Sequence, residues 1–166
     1  EQVVSAVKFL AKLHGTCWHR GFEDQFGLAD EGSYWYLDTR LEEFHCIGKE
    51  WANLKLAAKA LSSRLKKNGS GKGWTIIHGD FKATNIMYNV SKRNEYGECF
   101  CDCIGIDYQY AGGGYGARDL AMLIVCGCRM QSDDLECGIN TECDVLQLYY
   151  EDTRRSNIEC KVQRQT

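Results

Sequence analysis

Three polar side chains give the sequence its candidate chemistry. Asp80 follows an apolar run at 74–77, Asn85 comes five residues later at the start of another predicted strand, and Asp107 ends a third at 99–106. If the second and third strands pair as a hairpin, we expect the three side chains to converge at one end of the ribbon. Carboxylate and amide oxygens suit magnesium, and a further carboxylate can orient an acceptor hydroxyl and receive its proton. The pattern therefore predicts phosphoryl transfer.

The residue types suggest a role for each position. Asp80 is the predicted catalytic base, Asn85 and Asp107 are the predicted metal ligands, and Lys82 can reach a phosphate oxygen as a point charge. Taken singly, Asp80, Asn85 and Asp107 are more often an N-cap, a turn residue and a polar strand end. Their joint spacing favours function. His78 is predicted to be structural, holding the loop through a backbone hydrogen bond.

The sequence around these residues resembles that of a known superfamily. The pattern H-x-D-x-x-x-x-N with a downstream Asp-aromatic pair resembles kinase catalytic and metal loops. Residues 78–85 and 106–109 are similar to the aminoglycoside phosphotransferase and choline kinase superfamily, and so are residues 10–14 and 118–121. The resemblance covers nearly the whole chain, and the joint motif is far more specific than either half.

This resemblance implies roles that the spacing alone does not give. It implies Asp80 as base, Asn85 and Asp107 as ligands of Mg²⁺ that also bind the ATP phosphates, and Asp119 as a helix-start residue that braces the catalytic loop. Lys82 departs from the family pattern and is more similar to a lysine of the serine/threonine protein kinase loop. The implied activity is transfer of the γ-phosphate of ATP to a hydroxyl of a small molecule.

The implied fold is α+β: a mainly helical, protein-kinase-like C-terminal lobe with a small β-hairpin that carries the catalytic and metal loops. We expect residues 1–166 to form a single partial domain that lacks the N-terminal lobe, because no G-x-G-x-x-G precedes a strand lysine. The alternative is a binding module for a small molecule or a protein, derived from such a lobe, without turnover.

Periodicity and breakers predict the elements that position these residues. Residues 111–116 hold four glycines and are predicted to be irregular, as are the aromatic and glycine-rich residues 16–38. The predicted helices are 3–14, 44–67 (ended by a breaker at 68–73), 119–128 and 144–154, and the predicted strands are 74–77, 86–88 and 99–106, with a hairpin loop at 89–98.

Composition excludes several classes of function. The chain has 166 residues, 44% hydrophobic and 26% charged, and a formal net charge of -3 without a block of like charges. Nucleic acid is therefore not an expected partner. No apolar run approaches the roughly 18 residues that a membrane span needs, so no membrane association is expected. The ten cysteines favour reduced thiols in a cytoplasmic protein over a disulfide framework.

The acceptor alcohol stays open at this point. An aminoglycoside, choline or ethanolamine, a sugar, a sterol-like alcohol and an amino-acid hydroxyl are all compatible. Tyr108, Tyr110 and Tyr115 either form an aromatic wall for a quaternary ammonium group or simply pack. The acidic residues between 133 and 144 either meet the amines of an aminoglycoside or form a solvated loop.

Overall fold

A computed structural model describes residues 2–18, 27–66, 73–93, 99–126 and 142–163. Within these ranges there are five α-helices and four strands, with short 3-10 turns at Leu37–Thr39, Lys49–Trp51 and Ala83–Asn85. The helices are α1 (Gln2–Cys17), α2 (Leu41–Cys46), α3 (Ala52–Leu65), α4 (Ala117–Cys126) and α5 (Glu142–Val162); the strands are β1 (Trp74–Ile77), β2 (Ile86–Arg93), β3 (Cys99–Gly105) and β4 (Gly112–Tyr115).

The strands form two antiparallel pairs, β1 with β4 and β2 with β3. In the second pair Ile86 lies opposite Gly105, and the register shifts between Asn89 and Lys92. The α+β class and the predicted hairpin are confirmed. The predicted hairpin loop at 89–98 is wrong for residues 89–93, which belong to β2, and its other residues, 94–98, lie outside the described ranges. Of the predicted breaker at 68–73, only Gly73 is described.

The core lies where α1 and α5 pack together against the hairpin and α4. Phe81, the residue after the predicted base, is fully buried in this core, and its ring stacks on Phe9 with the centroids 5.6 Å apart. An apolar anchor inside the catalytic loop fixes the backbone of its polar neighbours. The buried core residues are Ala6, Val7, Leu10, Phe81, Ile86, Leu120, Leu123 and Val145.

The prediction of an irregular segment at 111–116 is wrong for residues 112–115, which form β4. Glycine is uncommon in strands because it weakens them, but in β4 close neighbours leave no room for a side chain. A Cβ at Gly112 would lie 2.5 Å from the carbonyl oxygen of Ala29, and one at Gly114 would lie 2.5 Å from a methyl carbon of Ile77. The glycines therefore permit β4 to lie against β1 and against residues 29–33.

The predicted helix at 44–67 is also wrong in its continuity. Gly48 has extended backbone angles, φ −64° and ψ 161°, and it separates α2 from a 3-10 turn that leads into α3. The last helix is longer than predicted, 21 residues from Glu142 to Val162. Within the described ranges, no helix is long and apolar enough to cross a bilayer.

Candidate active site

The catalytic loop turns sharply between β1 and Asp80. Gly79 has φ +86°, a left-handed conformation that side chains rarely adopt, and a Cβ there would overlap the carbonyl oxygen of Tyr110. The turn brings Asp80 into the body of the protein, where 3% of the residue is exposed. A glycine at this position is therefore required by both conformation and space.

The two carboxylate oxygens of Asp80 have different surroundings. Oδ2 accepts hydrogen bonds from Nζ of Lys82 at 2.7 Å and from Nδ2 of Asn85 at 3.1 Å. Oδ1 is buried and has no hydrogen-bond partner in the part of the chain that the structure describes. The carboxylate is thus held through Oδ2, and the hydrogen-bonding capacity of Oδ1 is unused among the described residues.

Asn85 and Asp107 meet at the end of the hairpin. The backbone N–H of Ile106 donates to the carbonyl oxygen of Asn85 at 2.9 Å, so Asp107 lies next to Asn85 across the ribbon. Asp107 is exposed and has φ +64°, an uncommon conformation for a residue other than glycine. The backbone thus holds this carboxylate at the hairpin end in a strained geometry typical of functional sites.

The donor set of these residues fits magnesium. Asn85 donates its Nδ2 to Asp80, which leaves its amide oxygen as the available atom, and Asp107 adds a carboxylate with one weak contact from Gln109 at 3.4 Å. No group of three His, Cys, Asp or Glu side chains in the described ranges is arranged to hold a metal ion. Such a sparse oxygen set suits Mg²⁺, which usually keeps waters and substrate phosphates as its remaining ligands.

Lys82 lies beside the carboxylate of Asp80, and 42% of its side chain is exposed. The hydrogen bond to Asp80 raises the pKa of Lys82 above its ordinary value, and the negative charges of Asp80 and Asp107 add to this. The lysine is therefore charged near neutral pH, as a group that contacts a phosphate must be.

His78 and Asp119 hold the loop through hydrogen bonds to backbone groups. Nε2 of His78 lies 2.9 Å from the carbonyl oxygen of Ile106, which links the catalytic loop to the metal loop. Asp119 is 1% exposed and accepts hydrogen bonds from the backbone N–H groups of His78, at 2.6 Å, and Gly79, at 2.9 Å. It lies in the first turn of α4, and both of its carboxylate oxygens accept from the loop.

A cavity of about 820 Å³ opens beside Asp80 and Lys82. Its walls come from α2, α3, α4 and the residues that precede α2, and they are mostly apolar. No sequence pattern indicates these residues, because they are far apart in the chain and none carries a motif. The apolar lining is Trp35, Tyr36, Leu37, Phe44, Ile47, Ala58, Leu61, Leu65, Ala121, Met122 and Val125.

The polar side chains of the cavity wall are held by other parts of the protein. Arg118 donates to the carboxylate of Glu31 at 2.7 Å and to the carbonyl oxygen of Leu65 at 3.0 Å, which ties α4 to the end of α3. Arg40 pairs with Glu43 at 2.9 Å and lies over the ring of Trp35, 4.5 Å from its centroid. These charged side chains therefore stabilise the walls, and the remaining lining is mostly apolar.

The tyrosines that were predicted either to form a wall or to pack have separate neighbours. Tyr108 lies against His78, Tyr110 against Tyr34 and Tyr115 against Trp74, and none of the three tyrosines lines the cavity. These contacts favour packing. Of the acidic residues that support the aminoglycoside alternative, those at 133–136 lie outside the described ranges, and Glu142 and Asp144 lie in the first turn of α5.

A buried carboxylate beside an amide and a second carboxylate, on a hairpin next to a cavity, is an arrangement suited to a kinase-like phosphotransferase. The model of the ecdysteroid kinase-like family matches residues 31–154, about three quarters of the chain, and the protein belongs to that family. Neither the curated proteins nor the solved structures contain a match.

Family membership bears on the earlier predictions at a coarse level. It confirms the small-molecule kinase superfamily and a kinase-like phosphotransferase in general, a class of enzymes that generally uses ATP and Mg²⁺. The family match does not show the narrower resemblance to aminoglycoside or choline kinases. The roles of Asp80, Lys82, Asn85, Asp107, His78 and Asp119 stay predictions.

Proposed function

We propose that this chain carries the catalytic site of an enzyme that transfers the γ-phosphate of ATP to a hydroxyl of an apolar, sterol-like small molecule. One observation carries the proposal. Oδ1 of Asp80 is buried, has no hydrogen-bond partner among the described residues, and belongs to a side chain that lines the large apolar cavity. A hydroxyl bound at this wall of the cavity would satisfy Oδ1 once a small rotation of the carboxylate exposes that oxygen.

The chemistry follows from the two oxygens of Asp80. Lys82 and Asn85 fix Oδ2, so that Oδ1 is oriented before the acceptor arrives. The acceptor hydroxyl donates to Oδ1, its oxygen forms a bond to the γ-phosphorus, the bond from that phosphorus to the leaving ADP oxygen breaks, and the proton passes to Asp80. Asn85 and Asp107 would hold Mg²⁺, which neutralises charge on the phosphates.

The acceptor class rests on the cavity and on the family. An open site of about 820 Å³ with predominantly apolar walls suits a rigid, bulky alcohol better than a polyamine or choline. Burial of the apolar surface of the acceptor would supply binding energy of roughly 25 cal/mol per Å². The name of the ecdysteroid kinase-like family is consistent with a sterol-like acceptor.

We further propose that the described elements form the C-terminal lobe of a protein-kinase-like fold that works in the cytoplasm. The order of helix, catalytic loop, hairpin and helix supports this lobe. The cysteines whose side chains are described are thiols, which is consistent with a reducing compartment; they are Cys17, Cys46, Cys103, Cys126, Cys143 and Cys160.

The test is transfer of labelled γ-phosphate by the complete protein to a panel of alcohols in the presence of Mg²⁺. The panel contains a sterol-like alcohol, choline, an aminoglycoside and a short aliphatic alcohol. We expect the sterol-like alcohol to give the highest kcat/KM. Preference for choline or the aminoglycoside would refute the acceptor class, and acceptor binding without transfer to any alcohol would favour the binding-module alternative.

A further inference from the structure

A buried chain of hydrogen-bonding groups connects α5 with the catalytic loop. The hydroxyl of Tyr149 lies 2.7 Å from Nδ1 of His14, and Nε2 of His14 lies 3.1 Å from Oδ2 of Asp119. Asp119 in turn accepts from the backbone N–H groups of His78 and Gly79, next to Asp80. Four segments of the fold, α5, α1, α4 and the loop after β1, therefore meet through three side chains.

The donors and acceptors in this chain can be assigned. The two backbone amides can only donate, so the carboxylate of Asp119 accepts from both. Nε2 of His14 must then carry a proton, because its lone pair would otherwise face a carboxylate oxygen. In the neutral imidazole the remaining nitrogen, Nδ1, accepts from the hydroxyl of Tyr149. Burial raises the pKa of Tyr149 above its ordinary value, so the hydroxyl keeps its proton near neutral pH.

The packing around His14 permits little displacement of its ring. His14 is fully buried, and its backbone carbonyl accepts from the hydroxyl of Thr75 in β1 at 2.8 Å. A Cβ at Gly116 would lie 2.6 Å from Nδ1 of His14 and would overlap the hydroxyl of Tyr149. The contact thus depends on a glycine at the start of α4.

We propose that Tyr149 is a positioning residue for the catalytic loop. Its hydroxyl binds Nδ1 of His14 and holds the ring with its Nε2–H toward Asp119, and Asp119 holds the two backbone amides of His78 and Gly79 that precede Asp80. The predicted base is therefore oriented from the last described helix, 69 positions further along the chain. The effect on catalysis rests on the proposed function, whereas the tautomer and the hold on the loop do not.

The tautomer is tested on the chain itself by long-range ¹H–¹⁵N correlation of the imidazole nitrogens. We expect His14 to be protonated at Nε2 and to accept at Nδ1. In Tyr149→Phe we expect Nδ1 of His14 to lose its hydrogen bond while Nε2 keeps its proton, and hydrogen exchange at the Gly79 amide to accelerate about tenfold, the effect of one net hydrogen bond. Tyr150→Phe is the matched control, because Tyr150 is its exposed neighbour in α5.

A proton on Nδ1 instead of Nε2 in the wild-type protein would overturn the proposal, as would wild-type exchange at Gly79 in Tyr149→Phe. In the complete enzyme we expect Tyr149→Phe to lower kcat about tenfold with the KM for ATP unchanged. Absence of any phosphate transfer in the wild-type enzyme would reject the proposed function and would leave the tautomer and exchange results to decide this inference.

Discussion

Nζ of Lys82 lies 2.7 Å from Oδ2 of Asp80, whereas Oδ1 of the same carboxylate is buried and has no hydrogen-bond partner among the described residues. The amide of Asn85 contacts the same Oδ2 at 3.1 Å. Two donors on one oxygen limit the rotation of the carboxylate. Oδ2 of Asp80 therefore has two hydrogen-bond donors, and Oδ1 has none among the described residues.

Replacement of Lys82 tests this arrangement. Lys82→Met keeps the length of the side chain and removes its charge, and we expect kcat to fall roughly 10- to 100-fold because Asp80 loses orientation and the phosphate loses a cation. The pKa of Lys82 is raised in the folded protein. The ion pair with Asp80 is therefore fully formed below the ordinary lysine pKa, and it is lost as the pH rises through the raised pKa of Lys82. The ratio of the wild-type kcat to the kcat of Lys82→Met should therefore be constant between about pH 6 and about pH 9.

Steady-state kinetics across this pH window measures the ratio. Lys8→Met is the matched control, because Lys8 is an exposed residue of α1 and does not line the cavity. Equal kcat values for Lys82→Met and the wild type would contradict the role of the ion pair. A ratio that collapses toward one below about pH 9 would contradict the direction of the pKa shift.

Gly79→Ala tests the turn before the base. The change adds a Cβ that overlaps the carbonyl oxygen of Tyr110, at a residue with φ +86°. We expect the free energy of unfolding to fall by about 3 kcal/mol, as strain and overlap add. Gly27→Ala is the control, since Gly27 has φ +63° but nothing within 4 Å of the added carbon, and it should lose only about 1 kcal/mol. Urea denaturation giving equal losses would contradict the crowding at Gly79.

Asp119→Asn tests the brace on the loop. The amide has nearly the same shape, but its NH₂ group would face a donor, either an amide of the loop or Nε2 of His14. We expect the free energy of unfolding to fall by about 2 to 4 kcal/mol, because buried hydrogen bonds to a charged group are lost. The exposed Asp102→Asn in β3 should change it by less than about 0.5 kcal/mol. A wild-type value for Asp119→Asn in chemical denaturation would remove Asp119 from this role.

Ala121→Trp tests the acceptor cavity. Ala121 lies on α4 and lines the cavity, whereas Ala117 lies on the same helix and does not. A large ring at 121 occupies acceptor space, and we expect the KM for a sterol-like alcohol to rise at least about tenfold while the KM for ATP is unchanged. Ala117→Trp should leave both KM values near those of the wild type. Equal acceptor KM values for the two variants would show that the acceptor binds elsewhere.

The catalytic loop could be predicted from the sequence because its signals are local. Apolar strands, the five-residue spacing from Asp80 to Asn85, and Asp107 at the end of the third strand together predict the hairpin, and residues 86 and 105 do pair. Such patterns depend on chain geometry alone. The strand period is therefore enough to predict that these side chains approach one another.

The rest of the site depends on contacts between distant segments. β4 was missed because its glycines are selected by the neighbours Ala29 and Ile77, which the sequence does not indicate. The cavity joins residues from four separate segments, and Tyr149 contacts His14 across 135 positions. A tyrosine in an amphipathic helix gives no sign of such a partner, since most such residues simply pack.

The most direct test of the central claim compares Asp80→Asn with the wild type in the complete enzyme. Transfer of γ-phosphate to the sterol-like alcohol is measured in a single turnover, and Mg²⁺-dependent ATP binding is measured by calorimetry, with Asp107→Ala as a second variant. We predict that Asp80→Asn binds ATP normally but transfers phosphate at least about 10³-fold more slowly, and that Asp107→Ala loses Mg²⁺-dependent binding. Wild-type transfer by Asp80→Asn would contradict the account.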